Sequence, residues 1–458
     1  MKVRALRIRH FWLALGTSFA LAACGGGGSG GPAASGSSSG SGAVPSSSST
    51  GSNAGSSSSS SGAATVSNQI AIVVNSGPPA ASPNTFNIPY ASVKVCVPGT
   101  NQCATINNLQ VDTGSSGLRI FSSVLSNAGV TLTPLSDPAN AANTIGECQA
   151  FVGGYVWGAV ATANVQMASE TATNLSVHVI DDAHSYAAVP SACTQLTSST
   201  SLNNVKAIHA NGVLGIGVFP QDCGSMCAEC ASFNNGCTST NDFYYSCSGS
   251  TTCTPTPVGL TAQVDNPISL FATDNNGSII ALPSVGSSGK ASVTGTLTFG
   301  IGTQSNNALP TDAAVLTLDD NGFFTSTFNG NNYDSSFLDS GSNGFYFTYT
   351  VTRCGTTGTS AYTFYCPNST ISLSAVNQGH DQFGQTTGAT STVDFSIANL
   401  NTLLANNGFA YGNVGGSAAI SSGSNSLSND FDFGLPFFYG RSVFTGIAAT
   451  NVRPFVAY

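Results

Sequence analysis

Two short stretches of the chain set an aspartate in the same surroundings. Leu109-Gln110-Val111-Asp112-Thr113-Gly114-Ser115-Ser116-Gly117 is echoed by Phe337-Leu338-Asp339-Ser340-Gly341-Ser342-Asn343-Gly344. In each, a β-forming apolar run delivers one carboxylate. The Thr/Ser-Gly-Ser that follows makes a tight turn whose hydroxyls and amides can hold that carboxylate. One such turn would be unremarkable, because Asp, Gly and Ser are ordinary turn residues. Two copies with matching flanks point to paired carboxylates and general acid–base chemistry.

Other chemistries fit less well. The five histidines (His10, His178, His184, His209 and His380) show no metal-ligand spacing, and His178 and His184 are too far apart for one helix face. The glycines of Gly212 to Gly217 are followed by no lysine and sit in no βαβ pattern, which excludes a phosphate loop. Gly114-Ser115-Ser116-Gly117 is one residue short of the Gly-x-Ser-x-Gly elbow of an esterase.

The elements that must position the two turns are strands. With 458 residues, 41% hydrophobic and a mean hydropathy of +0.13, the chain can bury a sizeable core in two or more packed units. Only 7% of residues are charged and 52 are glycine, the composition of an exported protein rich in strands and turns. Ile70 to Val74 and Ala91 to Cys96 read as strands leading to the first Asp turn. Short helices are expected over Ser122 to Asn127, Pro267 to Leu270 and Ile397 to Asn406, in a chain that is otherwise all-β.

The N-terminus predicts export. Lys2, Arg4, Arg7 and Arg9 precede an apolar run from Phe11 to Leu21, too short for a membrane span. The next residues, Ala22-Ala23-Cys24-Gly25, complete what resembles a bacterial lipobox, which implies lipidation of Cys24, with outer-membrane localisation on the periplasmic or cell-surface face. Residues 25 to about 66 are nearly all Gly, Ser and Ala and cannot bury enough apolar area to fold. As a tether of about 40 residues they reach on the order of 35 Å.

Without the leader, 7 basic residues face 20 acidic ones, a net charge of −13. That excludes nucleic acid as a favoured partner and leaves the lipid anchor as the only expected membrane contact. Twelve cysteines remain besides Cys24, enough for six disulfides in an oxidising compartment. Cys96 with Cys103 and Cys354 with Cys366 are the plausible local pairs, with Cys148 to Cys193 a longer one. Six more crowd into 223–253, where Cys227-x-x-Cys230 has zinc-like spacing but a stapled loop is favoured.

The paired turns resemble the Asp-Thr/Ser-Gly motifs of pepsin-like aspartic peptidases, and the resemblance covers nearly all of 67–458. Asn211-Gly212-Val213-Leu214-Gly215-Ile216-Gly217 is similar to the apolar-apolar-Gly segment that crosses behind the first catalytic loop. Phe433-Gly434-Leu435-Pro436-Phe437-Phe438 is its counterpart, and Gly215 and Gly434 follow their aspartates by 103 and 95 residues. Gln149 to Gly158 resembles the flap hairpin, and Gly295 to Gly302 the strand between the lobes.

The resemblance implies an all-β, two-lobed pepsin-like fold of mostly antiparallel sheets. The expected divisions are a leader at 1–23, a tether at 24–66, an N-terminal lobe at 67–285 with a Cys-rich insertion at 220–256, and a C-terminal lobe at 286–458. It implies an Asp112/Asp339 dyad that shares one proton and activates a water, with no cofactor and no metal. Thr113 and Ser340 would lock the loops together, Ser115 and Ser342 would hold the outer carboxylate oxygens, and Gly114 and Gly341 would complete the turns. A monomer acting on a polypeptide substrate, or holding a peptide ligand, is expected. Three positions depart from the pattern: Phe151 stands where the flap tyrosine belongs, Arg119 where its tryptophan partner belongs, and Asp432 where the second apolar-apolar-Gly element should be apolar. Tyr155 or Trp157 is then the candidate flap or cleft substitute. The departures leave open a catalytically silent binding module of the same architecture.

Overall fold

Alternation sets the strands. In Pro89–Cys96, Val93 and Val95 are buried while Ser92 and Lys94 face water, as a half-buried strand requires. The computed structural model describes residues 68–81, 85–195, 200–229, 243–354, 364–418 and 430–458. The leader, Cys24, the tether, Cys230 and Cys237 lie outside the described residues. From Asn68 to Tyr458 the described residues form one compact unit, mostly β, in which no described helix exceeds six residues.

Each Asp turn is built by the same crossing of strands. Cys103–Asp112 runs parallel to Gly212–Ile216, which returns antiparallel against Ser116–Phe121. In the second half Asn331–Leu338 runs parallel to Asp432–Phe433, which pairs antiparallel with Phe345–Tyr346. The duplication in sequence is thus a duplication of topology, the pepsin-like arrangement in which each aspartate leaves the end of a strand caught between neighbours.

The two halves fill their cores differently. Behind Asp112 lie aliphatic side chains such as Val111, Leu118, Val165 and Leu214, all fully buried. Behind Asp339 the core is aromatic: Phe347 stacks on Phe431 at 4.8 Å and Phe431 on Phe433 at 4.4 Å, with Phe328 and Phe395 edge-on to Phe431. Each such ring contributes about 2–3 kcal/mol on burial. The backbone carbonyl of Phe433 accepts from the Asp339 N–H at 3.0 Å, so this cluster bears directly on the second turn.

A central sheet joins the halves. Gln69–Val74 pairs with Val293–Phe299, which pairs with Gly277–Leu282, then Arg441–Gly446 and Phe455–Ala457. The division expected at 285/286 therefore falls in the connector between two neighbouring strands of that sheet.

Five disulfides are present among the described residues: Cys96–Cys103, Cys148–Cys193, Cys223–Cys227, Cys247–Cys253 and Cys354–Cys366. Cys227 is thus bonded to Cys223 and is no zinc ligand. Helices form at Ser122–Asn127 and, as a 3-10 turn, at Pro267–Leu270. The helix expected over 397–406 is only Leu400–Leu404, because Ile397 still belongs to the strand Thr386–Ile397 and the Asn399 side chain caps the helix by accepting from the Thr402 N–H. Short helices at Ser191–Gln195, Val205–Ile208 and Ser225–Glu229 offer too few periodic positions to be legible in sequence.

Candidate active site

The two turns meet as near copies of each other. The Gly114 N–H donates to Asp112 Oδ1 at 2.8 Å, and Ser115 Oγ donates to Oδ2 at 2.5 Å. The Gly341 N–H donates to Asp339 Oδ1 at 2.8 Å, and Ser342 Oγ donates to Oδ2 at 2.5 Å. The loops grip each other as well. The Thr113 N–H donates to Ser340 Oγ at 3.1 Å, and the Ser340 N–H donates to Thr113 Oγ1 at 2.9 Å. Each hydroxyl then donates onward, Thr113 to the Leu338 carbonyl and Ser340 to the Val111 carbonyl.

The glycines are required by proximity. A Cβ on Gly114 would lie 2.6–2.9 Å from the Asp339 carboxyl atoms, and one on Gly341 would lie 2.5 Å from Asp112 Oδ1 and 3.1 Å from Asp339 Oδ1. Each carboxyl therefore rests against the opposite turn, a packing no other residue type permits.

Asp112 and Asp339 are fully buried. Burial pushes the Asp112 carboxyl above its ordinary value, against the hydrogen bonds from Ser115, Asp339 and Gly114 and the charge of Arg119. Two buried carboxyls in hydrogen-bonding contact cannot both ionise at little cost. Gln110 also belongs to the site: its Nε2 donates to the Gly341 carbonyl at 2.9 Å, a third tie between the loops. The signal for it was an amide inside an otherwise apolar run.

The flap-like hairpin forms from Asn140–Phe151 and Gly154–Met167, with Phe151 opposite Gly154. Its tip is packed down. Phe151 is fully buried among Phe121, Val156, Ile180 and Val213. The Tyr155 N–H donates to the Thr200 carbonyl at 3.0 Å, and its own carbonyl accepts from the Leu202 N–H at 2.8 Å. Trp157 faces another cluster, edge-on to Tyr245 at 5.4 Å beside Cys148 and Cys193, and its Nε1 donates to the Ala187 carbonyl at 2.7 Å.

Arg119 is fully buried and has a structural task that the sequence did not reveal. Its Nη2 donates to Glu147 Oε1 at 2.7 Å, Gln149 Oε1 at 2.8 Å and Asp222 Oδ2 at 2.9 Å, while Nη1 donates to the Ser116 carbonyl at 2.7 Å and the Gly117 carbonyl at 3.3 Å. It thereby fastens the end of the first Asp turn to the flap strand and to the start of the Cys-rich insertion. His178 Nδ1 lies 3.0 Å from Glu147 Oε2. Burial alone would raise Glu147, but the Arg119 charge and His178 override it and hold the carboxyl well below the usual range. Asp222 goes the other way: burial and the Glu147 charge raise it far above, and Tyr244 Oη donates to its Oδ1 at 2.6 Å.

Comparison with known proteins places the chain. Residues 64–458 match the family model described as "Protein of unknown function (DUF3443)". The chain belongs to that family. A search of curated proteins found no match. Among solved structures, an aspartic proteinase from Irpex lacteus is similar at 16% identity and a TM-score of 0.42, over 85% of this chain and 96% of that one. An overlap that loose adds nothing to the architecture, which stands on the strand order and the paired turns.

Proposed function

We propose that the chain hydrolyses peptide bonds through Asp112 and Asp339. The observation that carries this is the reciprocal packing of the two turns, in which every oxygen of both carboxyls has a donor and only glycine fits between them. The ionised partner takes a proton from a water bound between them, and the protonated partner polarises the scissile carbonyl. Thr113, Ser115, Gln110, Ser340 and Ser342 position the acids and do not react. The substrate is a polypeptide bound as an extended strand.

The test is cleavage of a denatured protein by the full-length chain from about pH 3 to about pH 7, beside Asp112→Asn and Asp339→Asn. Expected is cleavage blocked by a statine-type inhibitor and reduced roughly 10²–10⁴-fold in each variant. Equal inertness of three folded proteins would overturn it.

One observation favours a second function: Phe151 is buried and the hairpin tip is bonded to the segment around Thr200 and Leu202, which suits a silent module that binds a peptide without cutting it. Substrate capture without turnover by wild type would select that function. The proposed setting is an exported, lipid-anchored monomer, supported by five disulfides and by Leu21-Ala22-Ala23-Cys24. Labelled palmitate incorporated by wild type and not by Cys24→Ser would establish the anchor.

A further inference from the structure

In both turns the carbonyl four residues past the aspartate is held by a buried side chain. In the first turn that carbonyl is Ser116's, which accepts from Arg119 Nη1 at 2.7 Å. In the second it is Asn343's, which accepts from Asn87 Nδ2 at 2.9 Å across 256 residues. Asn87 comes from the first half of the chain, just ahead of the strand Pro89–Cys96, and is fully buried.

The surroundings of Asn87 select asparagine. Its Nδ2 also donates to the Tyr411 carbonyl at 2.8 Å, and its Oδ1 accepts from the Tyr411 N–H at 2.8 Å and from Tyr439 Oη at 3.0 Å. The amide thus fills both donor and both acceptor positions. An aspartate would turn an oxygen toward two carbonyl oxygens, and a leucine would answer none of the four partners. The backbone agrees. Its φ is +53°, a left-handed setting that asparagine tolerates, and its N–H donates to the Phe409 carbonyl at 2.7 Å.

This amide bears on the second turn at one point. Gln110 Nε2 holds the Gly341 carbonyl and Asn87 Nδ2 the Asn343 carbonyl, so two residues of the first half fix the chain on either side of Ser342. Ser342 is the residue whose hydroxyl donates to Asp339 Oδ2 at 2.5 Å. We propose that Asn87 is a positioning residue for Asp339, keeping the Ser342 hydroxyl on the carboxyl by tying the turn to Tyr411 and Tyr439.

This role rests on the proposed hydrolysis, so it is tested both with and without turnover. In the full-length chain Asn87→Gly keeps the left-handed backbone and removes the amide. Its kcat for peptide cleavage falls about tenfold to 10²-fold at every pH, with KM within about twofold of wild type. Asn87→Asp is impaired as much near pH 7 but recovers toward about pH 4, where its buried carboxyl protonates and again donates to the Asn343 carbonyl. Tyr411 and Tyr439, the titratable residues bonded to residue 87, keep their protons throughout, since burial raises both phenols. Thermal unfolding checks that both variants fold; should Asn87→Gly not fold, the recovery of Asn87→Asp in acid decides.

Carbon NMR of the aspartate carboxyls, with Asp339 assigned from Asp339→Asn, reads the same hold without turnover. In Asn87→Gly the Asp339 signal titrates about 0.5 pH or more above its wild-type midpoint, because the carboxylate has lost a hydrogen bond. An inert wild type together with that shift refutes the peptidase function alone. An unmoved Asp339 midpoint, a loss that falls on KM, or an Asn87→Asp deficit that does not narrow in acid overturns the proposal.

Discussion

Replacing Arg119 by methionine keeps most of the stem and removes the charge that fastens the first Asp turn. The change strips donors from Glu147, Gln149, Asp222 and the Ser116 and Gly117 carbonyls, and it leaves Glu147 fully buried without its guanidinium, with the His178 ring and the Asp222 carboxyl as its remaining polar neighbours. Breaking a buried pair in this way costs about 3–5 kcal/mol.

The cost carries a pH signature. In the wild type the depressed Glu147 carboxyl contributes stability that is present above its ordinary value of 4.5 and is lost only as pH falls toward its folded value. In Arg119→Met, uncompensated burial raises the same carboxyl, so stability is lost as pH rises through 4.5. The gap between the two proteins is therefore widest near neutrality and narrows in acid. Urea unfolding at about pH 7 and about pH 3 measures it. Arg119→Met/Glu147→Gln, which removes the stranded charge, regains about 2 kcal/mol or more of the loss at neutral pH. The reasoning fails if the single change costs under about 1 kcal/mol, if the gap does not narrow in acid, or if the double variant is no better than the single one.

Three further outcomes are expected. Gly341→Ala must push Asp112 back by most of an ångström to clear the 2.5 Å approach, so peptide hydrolysis falls about 10²-fold while circular dichroism is unchanged. Ser340→Ala leaves the Thr113 N–H without its acceptor and costs about 1–3 kcal/mol in urea unfolding, whereas Ser340→Thr retains most of it. Burial raises Asp265 to about 6, against hydrogen bonds from the Gln221 side chain and the Ser176 backbone. A raised carboxyl stabilises below its unfolded value and loses that contribution as pH climbs, so wild type falls behind Asp265→Asn by about 2 kcal/mol between pH 4 and pH 7 in thermal or urea unfolding.

What was legible in the sequence was local. Thr113-Gly114-Ser115 and Ser340-Gly341-Ser342 hold their carboxyls within four residues, so residue type and order already determine the hydrogen bonds. Cys96–Cys103 and Cys354–Cys366 close loops of seven and 12 residues and were legible for the same reason. What stayed hidden depends on distant partners. Arg119 finds Glu147 28 residues away and Asp222 103 away, and nothing near Arg119 announces either. Phe151 looks like a cleft residue until Leu202 and Val213 enclose it.

The central sheet also sets the order in which the chain can fold. Apart from a two-residue pairing with Pro89–Cys96, Gln69–Val74 takes its partner from Val293–Phe299, so the first strand of the unit waits for more than 200 further residues to be made. Until then Ile70, Ile72 and Val74 form an unpaired apolar edge, open to aggregation in a chain delivered N-terminus first. The grip between Thr113 and Ser340 spans 227 residues and closes later still. Such distant contacts make folding slow, and neither half is a finished intermediate on which the other can wait. The paired carboxyls come into existence only when the last strands arrive, because the second Asp turn is held by Asp432–Phe433.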